Sequence, residues 1–282
     1  MKLLKFSTLC MLIVLSLGTN ALFAQKMKAE DILAKHLDSI GSSKNRDSVK
    51  TRIIVSDVEF LLQSQNPIGG KSVIASSIEG VIFGISLDAN NYRLDKFSFD
   101  GKKTHVGYIT PGVRSILGSF IFSYEDLLKE GLLGGTLSSS WALLNVEGRK
   151  SRLTYEGTEK IDKKETYVIE YSPKGGADLN IKMYFDQENF RHVRSEYNRI
   201  NAARMGVGID NSASRVETRY RLIEDFSNFK KFGELTLPSS YKINYTVGGG
   251  GGIGTKAEWK FKITDASFNQ PLGDNAFDIN AN

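Results

Sequence analysis

Beyond residue 28 the chain first spaces its apolar residues as a helix does. Residues 29–40 place four apolar side chains on one helical face, namely Ile32, Leu33, Leu37 and Ile40. Acidic residues stand near the start of this stretch, and Gly41 follows its end, as is typical of helix termini. The pattern predicts a helix over residues 29–40, followed by a polar linker over residues 42–47.

From residue 49 the spacing changes to one that is typical of β-strands. The predicted strands are rich in β-branched and aromatic residues and run over 49–62, 71–85, 92–99, 102–109, 141–146, 149–156, 165–171, 180–185, 191–197, 214–226, 235–247 and 255–268. Short turns separate most of them, so neighbouring strands are expected to pair antiparallel. Asp100-Gly101 predicts a two-residue hairpin, and residues 198–212 read as a long loop. The predicted fold class is mainly β, with one domain over residues 25–282.

Helical spacing returns between residues 111 and 135. The repeating apolar residues are Val113, Ile116, Leu117, Phe120, Ile121, Tyr124, Leu127 and Leu128. They predict two short helices broken near Phe122, with Ser123 and Asp126 as a capping box. Two interpretations stay open: a helix in the core, which the residues alone favour, or a cover that lines an apolar cavity over a concave sheet. The second makes seven residues candidates for ligand binding, namely Val113, Ile116, Leu117, Phe120, Ile121, Leu127 and Leu128.

The first 24 residues have the three parts of a secretory signal peptide. Lys2 and Lys5 precede an apolar run over residues 6–17, which is shorter than the roughly 20 residues that span a bilayer. Small residues follow, and we predict cleavage after Ala24, with Ala21 as the alternative. The only cysteine, Cys10, lies inside the apolar run. The exported chain would therefore have no thiol nucleophile, no disulfide and no cysteine metal site.

The remaining residues give no recognisable active site. His36, His105 and His192 lie far apart in sequence, and we expect His36 to pack in the fold and the other two to be solvated. Residues 248–254 are rich in glycine, but strand-like sequence on both sides predicts a hairpin tip instead of a phosphate loop, which needs a following helix. Glu224 and Asp225 are neighbours in a strand and so face opposite ways. The sequence predicts no catalytic residue, no metal site and no cofactor.

The charge of the chain gives little indication of a partner. The formal net charge of +5 becomes +3 when Lys2 and Lys5 leave with the signal peptide. Acidic and basic residues alternate, so there is no basic stripe of the kind that binds nucleic acid. A mild positive balance favours transient contact with anionic lipid headgroups.

Several motifs resemble those of outer-membrane lipoprotein-sorting proteins. Residues 30–41 are similar to their opening helix, residues 155–159 and 165–169 to their middle strands, and residues 183–186 with 193–194 to the strands that follow. Residues 226–238 resemble their late strand pair, and residues 275–279 their C-terminal end. The resemblance covers most of the predicted mature chain and is to the superfamily that includes LolA and LppX.

This resemblance implies a strongly curved antiparallel sheet, a half-barrel, with helices that cover its open side. It also implies a non-enzymatic periplasmic protein of a Gram-negative-type bacterium, which binds a lipid or the acyl chains of a lipidated protein. No functional residue of the lipoprotein carriers is transferred to this chain. The alternatives are an outer-membrane β-barrel protein and an envelope enzyme whose site is built from scattered strand residues.

Overall fold

The computed structural model describes residues 27–92, 94–202, 217–249 and 252–280. The predicted signal peptide and much of the predicted loop over residues 198–212 lie outside the described residues. Among the described helices, none is both long enough and apolar enough to cross a membrane.

The described elements are short helices and one large set of strands. The helices are α1 (Ala29–Ile40), α2 (Ser43–Ser48), α3 (Ile116–Ser123), α4 (Asp126–Lys129) and α5 (Val146–Arg149), with single 3-10 turns at Gly135–Leu137 and Ala142–Leu144. The strands are β1 (Arg52–Leu62), β2 (Ile68–Ser76), β3 (Val81–Leu87), β4 (Asp95–Phe99), β5 (Thr104–Val106), β6 (Arg152–Ile161), β7 (Lys164–Ser172), β8 (Asn180–Asp186), β9 (His192–Asn201), β10 (Thr218–Phe232), β11 (Leu235–Gly249) and β12 (Gly252–Phe268).

All twelve strands form one antiparallel sheet in the order β5-β4-β3-β2-β1-β12-β11-β10-β9-β8-β7-β6. Strands β5 and β6 are its edges, so the sheet is an open, curved half-barrel. The chain that joins β5 to β6 must therefore pass from one edge of the sheet to the other. This connection places the helices α3 to α5 on the open side of the half-barrel.

Alternation along the strands decides which face of the sheet is buried. In β1, Ile54 and Val58 are buried and Glu59 is exposed, and in β12 Trp259 and Phe261 are buried between more polar neighbours. Because successive side chains in a strand point to opposite faces, most strands send their apolar set to the concave face, whereas the edge strand β6 has no buried residue. The predicted mainly β fold is confirmed.

Several predicted elements agree with the structure. Helix α1 has the predicted bounds, and its Ile32 and Ile40 are buried. The glycine run joins two paired strands, because Gly249 pairs with Gly252 across the β11–β12 hairpin. The hairpin interpretation is therefore confirmed, although the tip at residues 250–251 lies outside the described residues.

Other predictions are wrong for local reasons. Residues 141–146, predicted as a strand, form a 3-10 turn and the start of α5, because their apolar side chains pack inward from a loop. The predicted linker over residues 42–47 is mostly helix α2, whose first turn is capped by the Ser42 side chain. Residues 71–85 are not one strand: a turn at residues 77–80 separates β2 from β3.

The turn and cap predictions near residues 100 and 123 also need correction. Asp100 and Gly101 belong to a four-residue loop, since Phe99 pairs with Thr104. Helix α3 begins after Ser115, whose side chain accepts a hydrogen bond from the Gly118 N–H. The predicted capping box does not form, because Ser123 donates its hydroxyl to the Ser119 carbonyl.

Candidate functional site

The concave face of the sheet is a continuous apolar surface. Its central side chains come from β3, β10, β11 and β12 and include Phe83, Leu222, Phe226, Tyr241, Ile243, Trp259 and Phe261. The Tyr241 ring stacks between its neighbours, with centroid distances of 5.1 Å to Phe226 and 4.9 Å to Phe261. A surface of this kind must be covered by protein or by an apolar ligand to leave water.

Residues 115–150, here called the cover segment, lie over this surface. The Phe120 ring centroid is 5.3 Å from that of Tyr245 on β11, and the Leu132 carbonyl accepts a hydrogen bond from Tyr197 on β9. Every residue from 131 to 143 is buried, although only single 3-10 turns interrupt the irregular backbone there. A buried irregular segment is unusual, because its backbone polar groups need partners away from water.

The structure brings most of the predicted site residues together on the inner side of the cover segment. Leu117, Phe120, Ile121, Leu127 and Leu128 are all buried in the core. The other two candidates lie further out: Ile116 is half-buried, and Val113 is 52% exposed. In the described arrangement the concave space is filled by the protein's own side chains. Ligand binding by these seven residues stays a prediction.

Glu224 is the principal polar partner of the cover segment. Its carboxylate accepts hydrogen bonds from the Gly134 N–H at 2.7 Å, from the Tyr197 hydroxyl at 2.6 Å and from the Tyr241 hydroxyl. The group is fully buried, and this burial raises its pKa from 4.5 to about 7. As predicted, Asp225 faces the opposite way, where it pairs with Arg194 at 2.7 Å.

Three more polar contacts join the cover segment to the sheet. The buried Arg52 guanidinium donates to the Thr136 carbonyl, and the Ser76 hydroxyl accepts from the Ser139 N–H at 2.8 Å. At the other side, Tyr171 donates to Glu130 at 2.7 Å. The cover segment is therefore held by apolar packing and a small set of specific hydrogen bonds, without strand pairing to the sheet.

Two histidines lie together in the core near the cover segment. The predicted packing role of His36 is confirmed, since it is buried and its Nδ1 lies 2.8 Å from the Phe190 carbonyl. The prediction that His192 is solvated is wrong, because its strand position turns the ring inward against Trp141 at 5.1 Å. Burial lowers the pKa of His36 to about 4 and that of His192 well below 6.5.

The His192 ring also lies 3.0 Å from the Ser195 hydroxyl. A catalytic serine needs access to a substrate as well as a base. Both residues are fully buried among aromatic side chains. The pair therefore acts as core packing in this arrangement.

A groove of about 1170 Å³ lies on the outer face of the sheet. Most of its lining residues are the polar ones that alternate with the core, although Phe226, Tyr241 and Phe261 also border it, and many of the polar side chains are already paired. Lys260 lies 3.0 Å from Glu59, and Lys242 lies 3.4 Å from Asp225. This surface has the character of a solvated outer face, so the concave face is the better candidate for an apolar ligand.

Comparison with known proteins rests on structure alone, since no family model and no curated protein matches the sequence. A LolA superfamily protein from Nitrosomonas europaea superposes with a TM-score of 0.50 at 17% identity, over 89% of this chain and 97% of that one. The protein has a LolA-like fold. A putative outer-membrane lipoprotein-sorting domain from Vibrio parahaemolyticus gives a TM-score of 0.47 at 15% identity over the same shares, and the lipoprotein LppX from Mycobacterium tuberculosis gives 0.23 at 12%, over 86% of this chain and 97% of that one.

The sequence did not identify the buried polar residues that face the interior. Glu224 shares its strand parity with the apolar Leu222 and Phe226, and Arg52 shares its parity with Ile54 and Val58. A charged residue on the apolar face of a strand was thus a visible signal. The hydrogen-bond partner of Glu224 could not be predicted from the sequence, because Gly134 is ninety positions away along the chain.

Gly131 offers a direct test of the packing of the cover segment. Its φ of +65° and a Ser140 carbonyl oxygen 1.9 Å from any added Cβ leave no room for a side chain. We expect Gly131→Ala to lower the free energy of unfolding by more than about 2 kcal/mol, from clash plus left-handed strain. The measurement is chemical denaturation.

Gly112 provides the matched control for this substitution. It also has a positive φ, of +77°, but nothing lies within 4 Å of an added Cβ. Gly112→Ala should lower the free energy of unfolding by only about 1 kcal/mol, from backbone strain alone. Equal losses in the two variants would contradict the close packing of Gly131 against Ser140.

Proposed function

We propose that the protein is an exported, non-enzymatic carrier that holds the acyl chains of a lipid or lipidated protein between the concave sheet and the cover segment. Its place is the periplasm, reached through a signal peptide cleaved after Ala24. The seven candidate residues, with Phe120 and Leu117 at the centre, contact the ligand when the cover segment is displaced. The LolA-like fold supports this proposal.

One observation carries the proposal: residues 131–143 are buried as an irregular segment in the concave space. A core built only for stability is usually closed by regular elements that satisfy their own backbone. Most N–H groups of the cover segment bond to carbonyls of the same segment, but those of Gly134 and Ser139 bond to single side chains of the sheet, Glu224 and Ser76. An acyl chain can replace the apolar contacts of this segment, and water can satisfy its backbone once it moves outward.

The ligand takes the place of a packed protein segment, so binding is coupled to a conformational change. Binding energy must first cover the loss of the packed arrangement, which lowers the apparent affinity. The ligand is released by the reverse step, because the returning cover segment expels the acyl chain. Transient contact with a membrane surface supplies or receives the lipid.

Fixing the cover segment to the sheet tests the proposal. The Ser139 nitrogen lies 2.8 Å from the Ser76 hydroxyl, so the two residues are in contact, and a disulfide formed between them would fix the cover segment to β2. In the double variant Ser76→Cys with Ser139→Cys we expect the oxidised form to bind a fluorescent fatty acid at least tenfold more weakly than the reduced form. Fluorescence titration measures both.

The predicted mature chain contains no other cysteine, so the new pair has no competing thiol. Each single cysteine variant is the control for the substitutions themselves, and should bind equally well in the oxidised and the reduced state. Equal binding by the oxidised and reduced double variant would place the acyl chain outside the cover segment. Absence of fatty-acid and lipid binding by the unaltered protein would contradict the carrier function as a whole.

A further inference from the structure

A small basic cavity lies where the cover segment meets α1 and the start of β1. Its volume is about 280 Å³. The lining residues that matter here are Arg46, Lys50, Arg52, Ser139, Trp141 and Arg149. Four of these six carry a positive charge, and Asp47 is the only acidic residue of the described lining.

Most of this positive charge has no counterion among the described residues. Arg46 lies 3.6 Å from Asp38, which is largely exposed. Lys50, Arg52 and Arg149 form no ion pair within the described part of the chain, although Arg52 donates to the Thr136 carbonyl and Arg149 to the carbonyls of Lys129 and Ser140. Asp47 is engaged by the Ser43 hydroxyl at 2.9 Å. Arg52 is only 2% exposed. A buried cation without a counterion is costly, and an anion bound beside it would remove that cost.

Several hydrogen-bond donors in the cavity wall also lack partners. The Nε atoms of Arg52 and Arg149, the Nε1 of Trp141 and the hydroxyl of Ser139 are buried and make no hydrogen bond in the described structure. Trp141 is 1% exposed and Ser139 is 7% exposed. Buried polar atoms normally have partners, so a group of unpaired donors around one cavity indicates a missing acceptor.

We propose that this cavity binds the phosphate of an anionic lipid headgroup. Guanidinium groups match the oxygen geometry of phosphate, and they bind it with several parallel hydrogen bonds. A volume of about 280 Å³ lies below the ~300–1,000 Å³ of sites for drug-sized ligands. The cavity therefore holds a headgroup and excludes the acyl chains.

The position of the cavity connects it to the interior. Arg52 lines the cavity and also donates to the Thr136 carbonyl of the cover segment. Trp141 lines it from the cover segment itself, with its ring edge-on to His36 at 5.1 Å between centroids. A headgroup held here would place its acyl chains at the margin of the cover segment. This inference rests on the proposed carrier function and adds a headgroup preference to it.

Isothermal titration calorimetry with three probes tests the site. The probes are dihexanoyl-phosphatidylglycerol, which is anionic, dihexanoyl-phosphatidylcholine, which is neutral overall with the same chains, and inorganic phosphate. We expect the anionic lipid to bind at least tenfold more tightly than the neutral lipid. Inorganic phosphate should bind more weakly than the anionic lipid, because it lacks the chains.

Substitutions of residues that line the cavity then test whether the preference for the anionic lipid arises there. Lys50 is exposed and its side chain makes no hydrogen bond within the described structure, so Lys50→Glu should fold normally and weaken the anionic lipid at least tenfold. Arg149→Gln should also weaken binding of the anionic lipid, and its melting temperature is measured as well because the change removes donors to the Lys129 and Ser140 carbonyls. Lys262→Glu makes the same charge change on the exposed face of β12 and should leave both lipids within twofold.

The outcomes separate the headgroup site from the carrier function. Equal binding of the two lipids, with no effect of Lys50→Glu, would overturn the headgroup site and leave the carrier function standing. Phosphate binding as tight as that of the anionic lipid would overturn the lipid source and assign the site to free phosphate. Phosphate binding without any lipid binding would contradict both the lipid source and the carrier function.

Discussion

Replacing Glu224 with alanine is expected to lower the free energy of unfolding by about 3–5 kcal/mol, because it removes a group that satisfies three buried donors. The Gly134 N–H, the Tyr197 hydroxyl and the Tyr241 hydroxyl all donate to this carboxylate. All three lie in the core and cannot turn to water. Urea denaturation of the variant at pH 7 measures the loss.

Glu224→Gln is the matched substitution, since an amide keeps the size of the side chain. Its oxygen can accept from Gly134 and Tyr241, and its nitrogen can donate to the Tyr197 oxygen, which frees the single Tyr197 proton for the Leu132 carbonyl. We expect this variant to retain most of the stability that alanine loses. Equal losses in the two variants would show that an amide does not restore the hydrogen bonds to Gly134 and the tyrosines.

The unaltered protein and Glu224→Gln should also differ in how their free energies of unfolding depend on pH. Burial raises the pKa of Glu224 from 4.5 to about 7. The folded state therefore favours the neutral acid, and the stability from this group is complete below pH 4.5 and is lost as pH rises to 7. The difference, about 3 kcal/mol, follows from 1.36 kcal/mol per pKa unit.

Two buried histidines oppose this trend and make a comparison necessary. The lowered pKa of His36, about 4, and that of His192 mean that the folded state keeps both rings neutral. Below pH 6.5 the unfolded chain binds protons at these histidines and the folded protein does not, so they lower the free energy of unfolding as pH falls. Glu224 has the opposite effect, since it lowers the free energy of unfolding as pH rises. The stability of the unaltered protein relative to Glu224→Gln should fall between pH 4.5 and 7. A difference that is constant across this range would contradict the raised pKa.

The sequence predicted those parts of the fold that depend on local spacing. Helix α1 is set by four apolar residues on one face, and the β11–β12 hairpin by strand-like sequence on both sides of the glycine run. Both patterns lie within a few residues of one another, so no distant contact is needed to recognise them. The mainly β class followed in the same way.

Predictions failed where distant packing decides the structure. Residues 141–146 are apolar enough for a strand, but a short apolar run does not distinguish a strand from a buried turn. Residues 141–143 are buried beneath the sheet as part of the cover segment. His192 has charged neighbours at Arg191 and Arg194, which suggested solvent, yet the register of β8 with β9 turns its ring inward.

The candidate site was predicted in its apolar part only. Spacing alone grouped Leu117, Phe120 and Leu128, which the structure buries together. The basic cavity could not be foreseen, because Lys50 and Arg52 lie at or just before the start of β1, whereas Arg149 lies far along the chain at the end of the cover segment. Only the fold brings their charges to one place.

Phe120 and Phe122 provide a matched pair that tests both the packing and the function of the cover segment. They lie on α3, but Phe120 is buried against Tyr124 and Tyr245, whereas Phe122 is 57% exposed. Phe120→Asp places a charge in the apolar interior and should cost about 3 kcal/mol or more. Phe122→Asp should change stability by less than about 0.5 kcal/mol, since the new carboxylate can pair with Arg114, which now lies 3.9 Å from the ring centroid.

Fatty-acid binding on the same samples separates a core helix from a cover over a ligand. We expect Phe120→Asp to have a lowered melting temperature and at least tenfold weaker binding, because the charge would lie against the acyl chain in the displaced state. Leu117→Asp should behave alike, since Leu117 is equally buried. Lowered stability with unchanged binding in both buried variants would place the ligand elsewhere. An unchanged melting temperature in Phe120→Asp would show that this ring is not packed against the sheet, and the proposed closed arrangement would be wrong.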